Sequence, residues 1–356
     1  MLNTLPVSPP LAAGQFPSPP LPLLLIGHGS RDPEGQQAFL ELAQAYQSLT
    51  PQRPVIPCFL ELAQPSIAQG VEQCLAQGWQ EIVALPLLLF GARHNKFDVT
   101  VELDRLQALH PQLRIHYGGP LGIRIEILQL LRDRLAALLA AQPRQIPGAE
   151  TVLLFVGRGS SDPEANAEAC KLARLLWEGS GLAAVETCFI GITHPRLPVG
   201  LERALSWQPR RVIVLPYFLF TGVLVKKIEA AVQERRRQYP QIEWLMLPEL
   251  GLVDTVLHSL QQLEQEALQG QTPMNCHLCK FRLAVSAELG VGHTHHHDHQ
   301  DHPHAQGSHH HHHHHDHHSH GQGSHHHYHN HGHAPAAATD PWAQLENYHQ
   351  RAWQVP

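Results

Sequence analysis

The chain has 356 residues and a formal net charge of −6, long enough for two domains with sizeable cores. That charge gives no electrostatic case for nucleic acid, whose binding needs a basic footprint. No run of about 18 apolar residues is present, so no membrane span is expected.

Residues 1–20 are Pro-rich and are expected to be a disordered lead-in. Residues 1–22 hold no Lys or Arg and no apolar core of an export signal, which predicts a cytoplasmic protein. Six cysteines, four of them isolated (Cys58, Cys74, Cys170, Cys188), do not make a disulfide framework and fit a reducing compartment.

Residues 21–142 read as a first α/β domain. Leu23–Ile26 is a short apolar run, and residues 34–49 place Phe39, Leu42, Ala43 and Tyr46 at helical spacing. Val55–Leu60 is strand-like, Ile67–Gln77 helical, and Glu81–Phe90 a second apolar run before a helix over 97–109. Leu113–Tyr117 is a fourth strand and Ile123–Ala141 a helix. Apolar strands that do not alternate, separated by helices, predict a parallel sheet covered on both faces. Asp32 is placed to cap the first helix, with Pro33 as its first residue and Glu34 in its first turn.

The pattern then repeats. At an offset of 130, GHGSRDPE (Gly27–Glu34) falls on GRGSSDPE (Gly157–Glu164), and CFLELAQPS (Cys58–Ser66) on CFIGITHPR (Cys188–Arg196). IVALPLLLFGARHNK (Ile82–Lys96) falls on VIVLPYFLFTGVLVK (Val212–Lys226). Gapless matches in order indicate a duplication, joined by the punctuated stretch Ala140–Glu150, with the second domain over 151–268. The expected fold class is α/β: two tandem doubly wound parallel-sheet domains followed by a disordered tail. Beyond them lie a Cys-x-x-Cys segment at 272–282, a His-rich tract at 293–333 and a short terminal segment at 334–356.

Three polar residues follow apolar runs in the first copy: His28, Glu61 and His94. In a parallel sheet those strand ends share one edge, where ligands of such folds bind. Two imidazoles and a carboxylate suit a first-row divalent metal and can take up protons near neutrality. The second copy holds Arg158, Gly191 and Leu224 instead, while Gly29, Ser30, Asp32, Pro33, Glu34, Cys58, Phe59, Pro86, Phe90 and Lys96 all have identical counterparts. Loss as a set, on a retained scaffold, reads as one copy keeping the chemistry and the other becoming support. Ser30 either donates to a substrate or only stabilises the turn. Arg31, Arg93 and Lys96 either meet an anionic substrate or are ordinary solvated charges.

The HGSR after the first strand, the FLE with its downstream Pro, and LPLLLFGARH together resemble the sirohydrochlorin chelatases. The resemblance is to the cobalt-inserting kind, CbiX-like relatives of the class II chelatases, in their long duplicated form. It covers about residues 20–265. It implies insertion of a divalent metal, cobalt favoured and iron possible, into sirohydrochlorin during cobalamin or sirohaem synthesis. It implies a lyase with catalytic and metal roles at His28 and His94 and, as their acidic partner, at Glu61. Cys276 and Cys279 form a C-x-x-C pair that cannot by itself fill a four-thiolate cluster. The resemblance implies an iron–sulfur centre there, which a homodimer would complete; the alternative is a pair of surface thiols or an adventitious metal site.

Of the 31 histidines, 23 lie between His293 and His333. A uniform run would read as a purification tag. This one is interspersed with Asp, Ser, Gly, Tyr and Asn, and reads as a metal-holding tail for Co²⁺, Ni²⁺ or Zn²⁺. A storage or delivery protein is therefore the rival reading. A hydrolase using Ser30 ranks last, because GHGSR lacks the G-x-S-x-G elbow.

Overall fold

The computed structural model describes residues 20–272. The lead-in over 1–19, the pair Cys276 and Cys279, the His-rich tract and the terminal segment lie outside them. The first half runs β1 (Leu23–Gly27), α1 (Pro33–Leu49), β2 (Val55–Phe59), α2 (Ile67–Ala76), β3 (Glu81–Pro86), a π-helical turn (His94–Asp98), α3 (Val99–Leu109), β4 (Arg114–Tyr117) and α4 (Ile125–Ala140). After a 3₁₀ turn (Gly148–Glu150) the second half runs β5 (Thr151–Gly157), α5 (Pro163–Trp177), β6 (Ala184–Phe189), α6 (Leu197–Ser206), β7 (Arg211–Pro216), α7 (Val223–Gln238), β8 (Glu243–Met246) and α8 (Asp254–Leu268).

Each half is a four-stranded parallel sheet, ordered β2-β1-β3-β4 and β6-β5-β7-β8. Apart from Glu81, Thr151 and Arg211 at their starts, the central strands are apolar because both of their faces are buried. Leu23 and Leu25 of β1 enter one core, Leu24 and Ile26 another. The core holding Leu23 and Leu25 also holds Leu153, Phe155 and Tyr217, so the two halves share it. Asp32 and Asp162 cap α1 and α5, each accepting from the N–H two residues on, with proline next. Ser66 and Gln69 close a capping box on α2.

The third strand stops at Pro86, although the apolar run continues to Phe90. The backbone there pairs elsewhere: the carbonyls of Leu88 and Leu89 accept from the N–H groups of Leu121 and Gly122. Residues 87–92 therefore form a loop that carries the chain out to the π turn.

The halves also exchange their last helices. α8 packs on β3 and β4 of the first sheet, and Thr272 Oγ1 donates to the Tyr117 carbonyl at 3.3 Å. α4 packs against α5. From α4, Arg132 donates to Leu175 O at 2.8 Å, and Arg134 to Glu249 O and Leu250 O at 2.7 and 2.9 Å. No helix among the described residues is long and apolar enough to cross a membrane.

Candidate metal centre

β1 and β3 are neighbours in the sheet, with β2 on the other side of β1. The chain leaves β1 toward both sides, and the crevice at such a switch point is where ligands settle. His28 follows β1 directly. Glu61 lies two residues beyond β2, and its N–H donates to the His28 carbonyl at 3.1 Å. That approach is close: a Cβ on Gly29, which sits at φ +94°, would lie 1.7 Å from the Glu61 carbonyl oxygen. Glycine is retained there because no side chain fits. His94 opens the π turn rather than following a strand.

His28, Glu61 and His94 each offer a ligand atom, and these atoms lie within 4.8 Å of one another. The imidazoles meet edge to face with centroids 4.7 Å apart. His28 Nε2 is 3.6 Å from Glu61 Oε1. The histidines are half-buried and Glu61 is exposed at the mouth. His94 Nδ1 lies 2.8 Å from Asp98 Oδ2, four residues on in the same turn. A carboxylate on Nδ1 fixes the tautomer and leaves the Nε2 lone pair for a metal.

The second half is not a bystander. Arg158, the counterpart of His28, reaches across and places Nη1 2.9 Å from His28 Nε2. Arginine only donates, so His28 accepts at Nε2 and carries its proton on Nδ1, which faces the Gly29 carbonyl at 3.3 Å. Burial first, then Arg158 and His94, lower the His28 pKa to about 4. Arg158 is exposed, yet partial desolvation of its guanidinium lowers its pKa, against the attraction of Glu61. The reading of the second copy as support alone is thus corrected: it supplies a cation to the site. Residues offset by 130 that touch each other lie where a two-fold relation between the halves would place its axis.

The flanking residues divide. Lys96 Nζ binds Asp162 at 2.7 Å and Glu164 at 2.5 Å, both in the second half. Lys226 makes the reciprocal pairs, with Asp32 at 2.8 Å and Glu34 at 3.0 Å. Burial opposes the Lys96 charge, but its hydrogen bonds to the two carboxylates prevail and its pKa is raised. Lys96 therefore ties the halves together, a role that differs from both readings of it, a contact with an anionic substrate or a solvated charge. Ser30 Oγ accepts from the Asp32 N–H at 3.0 Å, and Ser160 does the same for Asp162, which makes both hydroxyls turn elements. Arg93 Nε lies 3.8 Å from Asp98 Oδ1, beside the ligands. Arg31 is exposed, three residues beyond His28. Arg158 and Asp98 are the site residues that sequence reasoning missed.

Two half-buried imidazoles and an exposed carboxylate form a ligand set suited to a first-row divalent ion. The CbiX family model matches residues 22–138 and again 152–267. The chain is 38% identical to a sirohydrochlorin cobaltochelatase of Priestia megaterium over 263 residues, 74% of this chain and 85% of that protein. It is 34% identical to a sirohydrochlorin ferrochelatase of the same organism, covering 67% of this chain and 87% of that one. Its fold matches SirB of Bacillus subtilis, solved with Fe³⁺, at a TM-score of 0.60 and 28% identity, over 72% of this chain and 99% of that one.

Proposed function

The chain belongs to the CbiX family, and on that premise we propose that it is a sirohydrochlorin chelatase. The observation that carries the reading is the triad His28, Glu61 and His94, gathered within 4.8 Å in one half of a duplicated scaffold. Insertion exchanges two pyrrole N–H protons for one divalent ion. His94, held by Asp98, presents Nε2 to the incoming metal. His28, whose Nε2 lone pair already accepts from Arg158, is suited to be a ligand rather than a proton store. Glu61, exposed at the mouth, is suited to pass the released protons outward. Because the macrocycle is rich in carboxylates, Arg93 and Arg31 suit its periphery.

Cobalt is the favoured metal, on the greater identity to the cobaltochelatase than to the ferrochelatase. The comparisons do not favour the storage reading. Nor do they support an iron–sulfur centre at Cys276 and Cys279. A cytoplasmic location belongs to this proposal, on cysteine usage alone. Both halves contribute to the proposed site within one chain, since Arg158 of the second meets His28 of the first.

The test is anaerobic. Purified protein receives sirohydrochlorin with Co²⁺, Fe²⁺ or Ni²⁺, and the visible spectrum is followed against a no-enzyme control. Accelerated insertion is expected, lowered about 100-fold or more in H28A and H94A with the fold kept; full activity in both variants would remove the site. The His-rich tract adds a second expectation. Deleting 293–333 should leave turnover intact at saturating metal and weaken it when metal is scarce. An unchanged metal dependence would remove the delivery role.

A further inference from the structure

His28 has one lone pair to give a metal ion, and Arg158 holds it. Arg158 Nη1 lies 2.9 Å from Nε2, while the Nδ1 proton is turned to Gly29 O. A guanidinium N–H and a metal ion need the same electrons on Nε2, and they also repel each other. The two occupants exclude one another. The turn itself does not demand an arginine: the same place in the first half is His28, between the same Gly and Gly-Ser. Arg158 also feels the charge of Glu61, a second member of the ligand set.

On the chelatase reading, we propose that Arg158 is a positioning residue that withholds His28 from the metal until a carboxylate of the macrocycle draws the guanidinium away. A planar guanidinium fork pairs with a carboxylate through two charge-assisted hydrogen bonds, a better partner than one imidazole lone pair. The exchange completes the triad only when the macrocycle is bound. Macrocycle and metal are thereby coupled through one side chain, each favouring the same arrangement. The duplicated fold places the two residues together. A residue at the axis of the halves faces its own counterpart, and here an arginine at the position equivalent to His28 sets a cation against it.

The experiment compares wild type, R158A and R158K as full chains. Co²⁺ is titrated into the metal-free protein and read by its visible absorption. The tail binds cobalt in every variant, so the site's share is the difference from a chain carrying both H28A and H94A. R158A should bind cobalt about tenfold more tightly without macrocycle, and its KM for sirohydrochlorin should rise about tenfold. R158K, which keeps charge without the fork, should fall between. Unchanged or weaker cobalt binding in R158A would overturn the proposal, as would tighter binding with an unchanged KM. The titration needs no turnover. A chain that shows the cobalt effect yet inserts no metal would count against the chelatase reading, and not against the competition at His28.

Discussion

His28 is surrounded by reasons to stay neutral: burial, the Arg158 guanidinium at 2.9 Å and the His94 ring at 4.7 Å. Its pKa falls from 6.5 to about 4. Below pH 6.5 the unfolded chain takes up a proton that the folded site refuses, so this residue's contribution to stability falls as pH drops from about 6.5 to about 4. Within that window the imidazole of the metal-free protein keeps its lone pair. An NMR titration of the His28 ring should show it neutral at about pH 5, between those two values, and R158A should raise its pKa part of the way back, since burial remains. A midpoint near 6.5 in the wild type would contradict the geometry. Sequence alone located His28, Glu61 and His94, because their loss as a set in the second half stood out. Arg158 is not legible there, because a linear pattern shows a histidine replaced and not a guanidinium turned toward its counterpart. The signal was present: two halves packed about a two-fold bring equivalent residues together.

Elements decide how those side chains are aimed. The strands and helices of each half follow the apolar pattern closely, and the caps at Asp32 and Asp162 lie where Asp-Pro-Glu placed them. The segment after β3 does not follow it. An apolar run to Phe90 reads as strand, yet Leu88 and Leu89 pair with the loop before α4 instead of a neighbouring strand. The chain then enters a π turn over His94–Asp98, which no periodicity announces because it is one residue wider than an α turn. That turn sets His94 Nδ1 against Asp98 Oδ2 at 2.8 Å. D98N keeps the shape and removes the charge. Cobalt affinity of the site should fall about tenfold or more, the usual consequence of losing a carboxylate behind a ligating histidine. Equilibrium titration reads it, with the tail's share subtracted by means of the H28A/H94A chain. Wild-type affinity in D98N would make the pair incidental to metal binding.

At the scale of the whole molecule the duplication conceals its own closure. Repeat units in a sequence suggest two self-contained domains. The structure instead gives them one shared core, reciprocal ties through Lys96 and Lys226, and exchanged terminal helices. None of this is legible in a linear pattern, since a helix shows which face is apolar and not whose sheet it covers. The clearest marker of the exchange is Glu264 on α8. Its carboxylate binds Arg53 of the first half at 2.5 Å, with both side chains 1% exposed, and accepts from Tyr46 at 2.7 Å. Burial first, then Glu264, raise the Tyr46 pKa, so the phenol remains a donor. E264Q leaves the Arg53 charge buried without its counter-ion. It should destabilise the fold by about 3–5 kcal/mol, read by denaturant unfolding. The double variant R53M/E264L removes both charges together. It should cost less than E264Q, although it still strips the Leu21 carbonyl of the donor it finds in Arg53 at 2.8 Å. That ordering separates two accounts of the pair. If the double variant is the less stable of the two, the ion pair itself holds the first and last elements of the chain together. If E264Q is the less stable, the packing of α8 on the first sheet does so, and the charges only have to be matched.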